Sequence, residues 1–430
     1  MAKDLLQHAA HYFANQQQQA YLVGGSVRDL LLQEACTDWD IAATGDVPAL
    51  ARRLANSLHG HFAHMHDKAS RVIVKVAEHD SIIDIAPLYH GDIEEDLRGR
   101  DFTINAIALP LDNAASYASG EGLPAPIDPL EGVSDLAQRR LRAVNDGIFQ
   151  RDPLRMLRAF RFMMRYQLSL EEHTTQMLTR DASLLLQAAP ERIHDELYTI
   201  LQPHGATDRL RQLDQYGLFT TLMPEFIPAR GMPQPSLHYW DVLDHSLQTV
   251  AALEQLSDEL HKSTEDLRRS PFDLTGEGSM VRLQTLLHEA EQQQIFQWDS
   301  LTKPVMKLAA LLHDIGKPTT YTIDAEGRIR FYNHPQVGVP LAQDIMQRIG
   351  ASTRDCRLVQ QIVAHHMRPG QLSSDEVTIR AIRRFFVDLG PTGIYVALVS
   401  LCDHLAMRGP LPFNERWTRH LSAVLLLLHT

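Results

Sequence analysis

Residues 22–42, LVGGSVRDLLLQEACTDWDIA, constrain the fold more than any other stretch of the chain. An apolar run ends at Gly24 and Gly25, a helix-like segment follows, and Asp38 and Asp40 close the stretch inside a strand-like segment. Side chains alternate along a strand, so the two carboxylates are expected on the same face. Mg²⁺ takes oxygen ligands, commonly one or two carboxylates together with substrate phosphates. The pattern therefore predicts a magnesium-binding strand beside a glycine turn.

The same stretch offers groups that suit a phosphate. Gly24 and Gly25 stand just before a helix start, where backbone N–H groups can approach an anion closely. Arg28 adds a planar fork of donors for the same anion. The alternative interpretation is structural, with the glycines forming a plain turn and Asp38 and Asp40 serving as turn or cap residues.

A hairpin is predicted next, from strands over residues 71–76 and 81–86 with a turn at residues 78–80. Asp84 lies between Ile83 and Ile85 in the returning strand. It is a candidate third carboxylate on the face that carries Asp38 and Asp40. A solvent-facing strand residue is the alternative interpretation for Asp84.

A second dense block of polar residues is EDLRGRDFTINA, over residues 95–106. Arg100 can neutralise triphosphate charge, because a guanidinium binds phosphate oxygens through paired donors. Asp101 and Asn105 can orient ribose hydroxyls or the preceding loop. A helix cap would explain Asp101 alone but not the whole run.

A third block, RDPLRMLRAFRF, spans residues 151–162. Pro153 suits the first turn of a helix that Asp152 caps, and this helix spreads Arg155, Arg158 and Arg161 along one side. Residues 139–165 contain eight arginines against two acidic residues, although the whole chain has a formal net charge of −12. We expect this basic strip to gather phosphates.

Taken together, the three blocks resemble bacterial tRNA nucleotidyltransferases, the CCA-adding enzymes, and their poly(A) polymerase relatives. The resemblance implies that Asp38 and Asp40 are catalytic and bind Mg²⁺. It also implies nucleotide-binding roles for a larger set of residues: Gly24, Gly25, Arg28, Arg100, Asp101, Asn105, Asp152, Arg155, Arg158 and Arg161. The implied partners are the 3′ acceptor end of tRNA, CTP and ATP.

In this family the Asp and the first Arg of the third block act as a protein template for the incoming base. The resemblance therefore implies that Asp152 accepts a hydrogen bond from an exocyclic amine and that Arg155 donates to the ring acceptors beside it. Cytosine and adenine present an amine next to a ring acceptor, whereas uracil and guanine do not. Side-chain readout of this kind is worth roughly 1–3 kcal/mol per pair.

Three departures from the family pattern stand out. Arg151 replaces the usual Glu before Asp152, and Gly99 stands where many relatives have Arg. Only ten residues, IAPLYHGDIE, separate Asp84 from Glu95, where CCA-adding relatives have a longer flexible loop implicated in the switch from C to A. The short segment resembles the CC-adding branch, so the sequence leaves open whether CCA, CC or only A is added.

Histidines crowd into the second half of the chain, and their pattern resembles the HD metal-phosphohydrolase domain, His…His-Asp…Asp. Carried over, this pattern gives His245, His313, Asp314 and Asp403 as metal ligands. His334 and His365 match extra histidines that some HD proteins use for a second metal. Imidazole and carboxylate ligands suit Mg²⁺ or a divalent transition metal such as Mn, Fe, Ni or Co. A vestigial HD fold without metal is the alternative.

The fold class predicted is α+β: a small mixed α/β head with a short twisted sheet, then a helical neck and body, then a helical HD domain. The predicted boundaries are residues 1–145, 146–230 and 231–430. Three widely spaced cysteines, no signal-peptide pattern and no apolar run long enough for a bilayer predict a cytoplasmic protein with no membrane contact.

Three other functions compete with tRNA end synthesis. A poly(A) polymerase would use the same head, but the chain lacks a long basic tail and has the short segment after Asp84. An HD phosphohydrolase with an inactive head would leave Asp38 and Asp40 idle. A pure RNA-binding module would use neither set of metal ligands.

Overall fold

The computed structural model describes residues 2–34, 36, 38–65, 69–76, 79–118, 125–235, 237–372 and 378–429. The chain divides into two compact units. The first unit comprises residues 1–155 and 162–180, and the second comprises residues 156–161 and 181–430. Within the described residues, no single helix is long and apolar enough to cross a membrane. The bent pair Arg380–Leu389 and Thr392–Met407 passes that test only jointly, with a 108° bend between them.

The first unit mixes strands and short helices. Its strands are β1 Ala20–Val23, β2 Asp38–Ala43, β3 His61–His64, β4 Ser70–Val76, β5 His79–Pro87, β6 Ala108–Pro110, β7 Arg140–Leu141 and β8 Ser169–Leu170. Its helices are α1 Ala2–Asn15, α2 Gly25–Leu31, α3 Val47–Ser57, α4 Ile93–Arg98, α5 Leu111–Ala118, α6 Gly132–Ala137, α7 Ile148–Arg151, α8 Arg155–Tyr166 and α9 Glu172–Asp181. Residues 156–161 of α8 and the last residue of α9 belong to the second unit.

Six of the described strands form one mixed sheet in the order β3-β4-β5-β2-β1-β6. Strands β2 and β5 run parallel, and the other neighbours are antiparallel. Apolar residues of α1, including Leu6 and Phe13, are buried in one core with Leu22, Ile41 and Ile83 of the central strands. Burial of this core holds β2, with its two carboxylates, in the middle of the sheet.

The second unit is largely helical. Its helices are α10 Pro190–Leu201, α11 Ala206–Gln215, α12 Leu218–Leu222, α13 Val242–Leu260, α14 Thr264–Leu267, α15 Ser279–Gln292, α16 Pro304–Leu312, α17 His334–Arg348, α18 Thr353–His365, α19 Arg368–Leu372, α20 Ile379–Leu389, α21 Thr392–Met407 and α22 Glu415–Leu428. A hairpin of β9 Tyr321–Ile323 and β10 Ile329–Phe331 interrupts the helices.

A buried ion pair ties helices of the second unit together. The Lys307 ammonium on α16 lies 2.8 Å from Glu254 on α13, and both side chains are almost fully buried. The same ammonium donates to the carbonyl oxygens of Leu201, Gln202 and Pro203, which end α10. One lysine thus satisfies helix C-terminal carbonyls that otherwise lack partners.

The α+β prediction is confirmed, with a mixed sheet first and helices after it. One local prediction needs correction, and one hairpin was not predicted. Helix α8 begins at Arg155, so Pro153 lies in the turn between α7 and α8 and Asp152 caps that turn by accepting from Leu154 N at 3.2 Å. The β9–β10 hairpin was not predicted, because strands of three residues carry too little alternation to be recognised. The three domain boundaries stay a prediction.

Candidate active site and metal centre

The carboxylates of the first unit lie on neighbouring parallel strands. Asp40 of β2 is in register with Asp84 of β5, so the two side chains share a face of the sheet. Asp38 lies two residues earlier on β2 and is exposed. The structure therefore gathers the three predicted carboxylates at one place.

Asp84 is held by a cation of its own. Arg71 on β4 pairs with it through two hydrogen bonds, of 2.7 and 2.8 Å, in a fork geometry. Two carboxylate oxygens engaged by one guanidinium are poorly placed to bind a metal at the same time. Asp38 and Asp40 thus remain the carboxylates of this face that suit a metal.

Strand β2 is fixed to helix α2 by one hydroxyl. Ser26 Oγ donates to the carbonyl oxygen of Asp38 at 3.0 Å and accepts from the backbone N–H of Asp40 at 2.7 Å. The backbone on both sides of Trp39 is therefore locked, and this fixes where the two aspartate side chains begin. The sequence gives no sign of this role for Ser26, which directly follows the glycine pair, because a hydroxyl bond to a distant strand leaves no local signal.

Asp40 lies in a site of mixed charge. Burial raises the pKa of Asp40, and the negative charges of Asp84 and Asp38 add to that effect, while Arg100 and Arg28 oppose it. A divalent cation at the carboxylates would favour the ionised form, since a bound cation is the largest local charge in such a site. The donor set of two ionised carboxylates fits Mg²⁺.

Gly24 is required by its surroundings. Its φ is +64°, which L side chains rarely adopt, and a Cβ atom there would lie 2.8 Å from Nη1 of Arg100 and 3.7 Å from Oδ2 of Asp40. Arg100 and Asp40 therefore flank the same glycine. Arg100 is oriented by Asp96, which accepts from its Nε and Nη2 at 3.0 and 2.9 Å.

Arg28 is buried in a network of side chains. Its Nη1 donates to Asn105 Oδ1 at 2.5 Å, its Nη2 donates to Tyr166 OH at 2.5 Å, and its Nε donates to Asp29 at 2.9 Å. The guanidinium also lies over the Tyr166 ring, 4.2 Å from its centroid. Asn105 in turn donates to Asp101 at 3.1 Å. These contacts make the network a brace under the glycine turn, and a phosphate or ribose role for its members stays a prediction.

The predicted base-reading pair connects to the carboxylate site through Arg100. Arg155 Nη1 donates to the Arg100 carbonyl oxygen at 3.4 Å, and Asp152 lies one turn earlier in the same segment. Arg100 therefore contacts Arg155 through its backbone carbonyl and lies beside Asp40 through its side chain. Arg158 and Arg161 follow on the same side of α8 but belong to the second unit, where Arg161 Nε donates to Glu196 at 2.9 Å.

Several arginines of the basic strip over residues 139–165 bind groups of the protein itself, so fewer are available to phosphate than the composition predicts. Arg140 and Arg142 both pair with Asp135, which is fully buried, at 2.6 and 2.8 Å. Arg139 donates to the Tyr166 carbonyl oxygen, and Arg151 donates to an Asn145 side chain. Several of the eight arginines thus stabilise the first unit. The periodicity of the sequence carried no sign of this, because Asp135 acts from a different element.

The second unit brings four predicted ligands together. The ligand atoms of His245, His313, Asp314 and Asp403 all lie within 4.8 Å of one another. His245 Nε2 is 3.0 Å from Asp403 Oδ1, and His313 Nε2 is 3.1 Å from Asp314 Oδ2. Both Nε2 atoms are buried and, among the described residues, neither has a partner with hydrogen-bond geometry. Buried nitrogens that face carboxylates without bonding to them fit a shared cation.

A second group of ligands shares Asp314. Its Oδ1 lies 3.2 Å from His334 Nε2 and 3.5 Å from His366 Nε2. The prediction of His365 at this place was wrong, since His366 is the histidine that joins the group. Consecutive residues at a helix end point about 100° apart, so an error of one residue moves the imidazole to another side.

Backbone carbonyls orient three of the histidines. Nδ1 of His313, His334 and His366 lies 2.8–2.9 Å from the carbonyl oxygens of Ala310, Phe331 and Val363. A carbonyl oxygen only accepts, so each Nδ1 carries the proton. Nε2 is thereby the ring nitrogen that would face a metal, which is the arrangement that metal-binding histidines usually have.

Charges in this cluster are strongly coupled. Burial alone would lower the pKa of His313, yet the carboxylates of Asp314 and Asp403 raise it to about 10. The pKa values of both aspartates lie well below their ordinary range despite burial, because His313 and, for Asp314, Lys317 place positive charge beside them. Lys317, not singled out in the sequence, lies 2.5 Å from Asp314 Oδ2 at an i, i+3 spacing. The site thus attracts positive charge.

Three family models match consecutive parts of the chain. A family model of the poly(A) polymerase head domain matches residues 20–142, a model described as a probable RNA- and SrmB-binding site of polymerase A matches residues 167–230, and an HD domain model matches residues 242–408.

Relatives resemble the chain along most of its length. An A-adding tRNA nucleotidyltransferase of Deinococcus radiodurans is 32% identical over 91% of this chain and 77% of its own. A CC-adding tRNA nucleotidyltransferase of Thermus thermophilus is 30% identical with the same coverage, 91% and 77%. The solved structure of a Thermotoga maritima CCA-adding enzyme complexed with tRNA shares the fold, with a TM-score of 0.60 at 20% identity over 99% of this chain and 82% of its own. The chain therefore belongs to the tRNA nucleotidyltransferase and poly(A) polymerase family, with a polymerase head, an RNA-binding region and an HD domain.

Proposed function

We propose that this protein adds nucleotides to the 3′ end of tRNA without a nucleic-acid template, and that it stops after two C residues. Family membership supports the class of reaction. The observation that supports the site is the pair Asp38 and Asp40 on one face of β2, with Arg100 and Gly24 beside Asp40.

In the reaction, the tRNA 3′ oxygen forms a bond to the α-phosphorus of CTP. The bond from that phosphorus to the oxygen bridging to the β-phosphate breaks, pyrophosphate leaves, and the hydroxyl proton passes to water. Asp38 and Asp40 would hold Mg²⁺, which would supply Lewis-acid activation of the hydroxyl and neutralise charge on the leaving pyrophosphate. Arg100, held by Asp96, supplies further positive charge for the triphosphate.

Base choice is assigned to Asp152 and Arg155. A carboxylate and a guanidinium side by side match an amine next to a ring acceptor, which is the edge that cytosine presents. The backbone contact between Arg155 and Arg100 supports this role, because it fixes the base-reading residue relative to the residue that flanks Asp40. Uracil, which lacks the amine, would offer the Asp152 carboxylate no donor from the base.

The connection between β5 and α4 supports CC addition. Five residues separate Pro87, the last of β5, from Ile93, the first of α4, and three of them form a tight 3₁₀ turn over Tyr89–Gly91. A longer loop is the family feature associated with the change from C to A. The two relatives described above carry different specificities at similar identity, so the length of this connection is the more informative observation.

Product lengths test the proposal. The protein is incubated with tRNA transcripts that end at the discriminator base, at C or at CC, with CTP and ATP supplied separately and together. We expect the first two substrates to be extended to CC and the third to be unchanged. Addition of A to the CC substrate would overturn the specificity, and A tracts on unrelated RNA would indicate a poly(A) polymerase.

Two variants test whether the head is catalytically active. Asp38→Ala should abolish incorporation, because it removes a proposed metal ligand. Asp80→Ala, at an exposed position near the start of β5, is the matched control and should retain it. Equal incorporation by the two variants would contradict a catalytic role for the β2 carboxylates.

A second activity, hydrolysis of a phosphoester at the HD centre, is favoured by the buried ligand groups that share Asp314. The water oxygen would bond to phosphorus, the ester P–O bond would break, and the alcohol would leave with a proton. A divalent metal held there would supply an activated water. His313→Ala should reduce bound metal, measured by elemental analysis, whereas His288→Ala, at an exposed histidine, should not. Equal metal content in the two variants would contradict metal binding.

A further inference from the structure

A cavity of about 350 Å³ adjoins the candidate metal centre of the second unit. Its wall includes His366 and Asp403, one residue from each of the two ligand groups. Arg416 and Arg419, from the first turns of α22, line the same cavity. A molecule in this space can therefore face both ligand groups and two guanidinium groups.

The two arginines are presented together. They are three residues apart on α22, so their side chains lie on the same side of the helix. Asn414 caps this helix by accepting from the Arg416 backbone N–H at 3.0 Å, which fixes where the first turn begins. The side of α22 that carries Trp417 and His420 is buried, and both arginines remain exposed.

Neither guanidinium is neutralised by a carboxylate of the part of the chain that the structure describes. Over the residues for which positions are given, no carboxylate lies within ion-pair distance of Arg416 or Arg419. Other arginines of the second unit do have such partners. Arg348 pairs with Glu225 at 2.7 Å and Arg368 pairs with Asp388 at 3.1 Å. Two uncompensated guanidinium groups at one cavity attract an anion.

We propose that Arg416 and Arg419 form an anion clamp that binds a phosphate group of a small phosphoester in the HD cavity. This inference rests on the phosphoester hydrolysis proposed for that centre. It adds the residues that recognise the substrate and the kind of substrate they admit.

The shape of the cavity favours a small ester over a polymer. Its volume is at the lower end of the range for small-molecule sites, about 300–1,000 Å³. Leu237, Met367 and Met407 supply apolar surface for the organic part of the ester. Arginine suits phosphate because its planar fork donates two parallel hydrogen bonds to phosphate oxygens. RNA backbone phosphates carry the same chemistry, so the experiment has to distinguish the two sources.

The test uses the full chain and the double variant Arg416→Ala/Arg419→Ala, titrated with orthophosphate in a calorimeter. Titrations are made on metal-free protein and on protein loaded with Mn²⁺, and Mn²⁺ binding is measured separately. We expect the double variant to bind Mn²⁺ within about twofold of the parent and to bind orthophosphate at least about tenfold more weakly, since charge-assisted hydrogen bonds are lost. Arg384→Ala, at an exposed position on α20, is the matched control and should bind both like the parent.

A lysine variant and an RNA-binding measurement distinguish a phosphate clamp from general binding of anions or RNA. Arg416→Lys/Arg419→Lys keeps the charge and loses the fork, so its phosphate affinity should lie between those of the parent and the alanine variant. Binding of a single-stranded RNA without terminal phosphate should be unchanged in the alanine variant. Equal orthophosphate affinity of parent and alanine variant, or a loss confined to RNA, would overturn the clamp. Failure of the parent to bind Mn²⁺ would overturn the hydrolysis proposal, and the metal-free titration would then judge the clamp alone.

Discussion

Removal of one hydroxyl, in Tyr166→Phe, tests the brace beneath the glycine turn. The Tyr166 ring is buried and its hydroxyl accepts from Arg28 at 2.5 Å and donates to Asp29 at 3.0 Å. Burial raises the pKa of Tyr166 to about 12, so the hydroxyl keeps its proton at neutral pH. Phenylalanine preserves the ring that Arg28 covers, so the variant removes two polar contacts and little packing.

The expected cost follows from the charges of the two partners. A hydrogen bond to a charged group contributes about 1.5–3 kcal/mol, against about 0.5–1.5 kcal/mol for a neutral pair. The Tyr166 hydroxyl bonds to the buried cation of Arg28 and to the partly buried anion of Asp29, and we expect a loss of about 2–3 kcal/mol. For a unit of this size that corresponds to a fall in Tm of about 4–12 °C.

Tyr12→Phe is the matched control in the same unit, because its hydroxyl donates to one neutral acceptor, the Leu50 carbonyl oxygen, at 3.1 Å. Its expected loss is about 1 kcal/mol. Urea and thermal denaturation, followed by circular dichroism, measure both variants. A Tyr166→Phe loss no larger than that of Tyr12→Phe would refute the claim that Arg28 depends on this hydroxyl.

Two other predictions concern the buried lysine and the glycine turn. Lys307→Met should destabilise the second unit by about 3–5 kcal/mol, since it leaves Glu254 buried without its cation. Burial would raise the pKa of Glu254, but bonds from Lys307 and two backbone N–H groups lower it. The stability that ionised Glu254 contributes is therefore fully present above its unfolded-state pKa and is lost as the pH falls through its folded-state pKa. When the free energy of unfolding is followed to acid pH, the parent should lose more stability than Lys307→Met. Gly24→Ala should reduce nucleotide addition at least about tenfold, because its φ is +64° and the added Cβ would displace Arg100; activity within twofold of the parent would contradict this.

The sequence pattern predicted those features of the molecule that are set by residues within a single helix or strand. The spacing of Asp38 and Asp40 placed both on one face of a strand, and the HD pattern pointed to His313 and Asp314, which lie at the end of helix α16. The cap of α3 is a contact of the same local kind, because Asp46 accepts from the backbone N–H of Ala49 three residues later.

Pairings between distant elements were not visible in the same way. Arg71 on β4 forms an ion pair with Asp84 on β5, and Asp135 forms ion pairs with Arg140 and Arg142. Such contacts decide whether a charged side chain is available to a ligand, and they depend on how elements pack. The choice between neighbouring histidines at the end of α18 failed for a related reason, since the direction of each side chain is set by the last helical turn.

The most direct test of the account concerns Asp40. Parent protein and Asp40→Asn are compared for incorporation of C from CTP into tRNA ending at the discriminator base, with CTP affinity measured in parallel. Asparagine keeps the size of the side chain and removes the charge that would hold Mg²⁺. We predict a loss of incorporation of at least about a thousandfold, because metal stabilisation of the reacting groups is worth several kcal/mol, with CTP affinity changed by about threefold or less. Incorporation within tenfold of the parent would contradict the account.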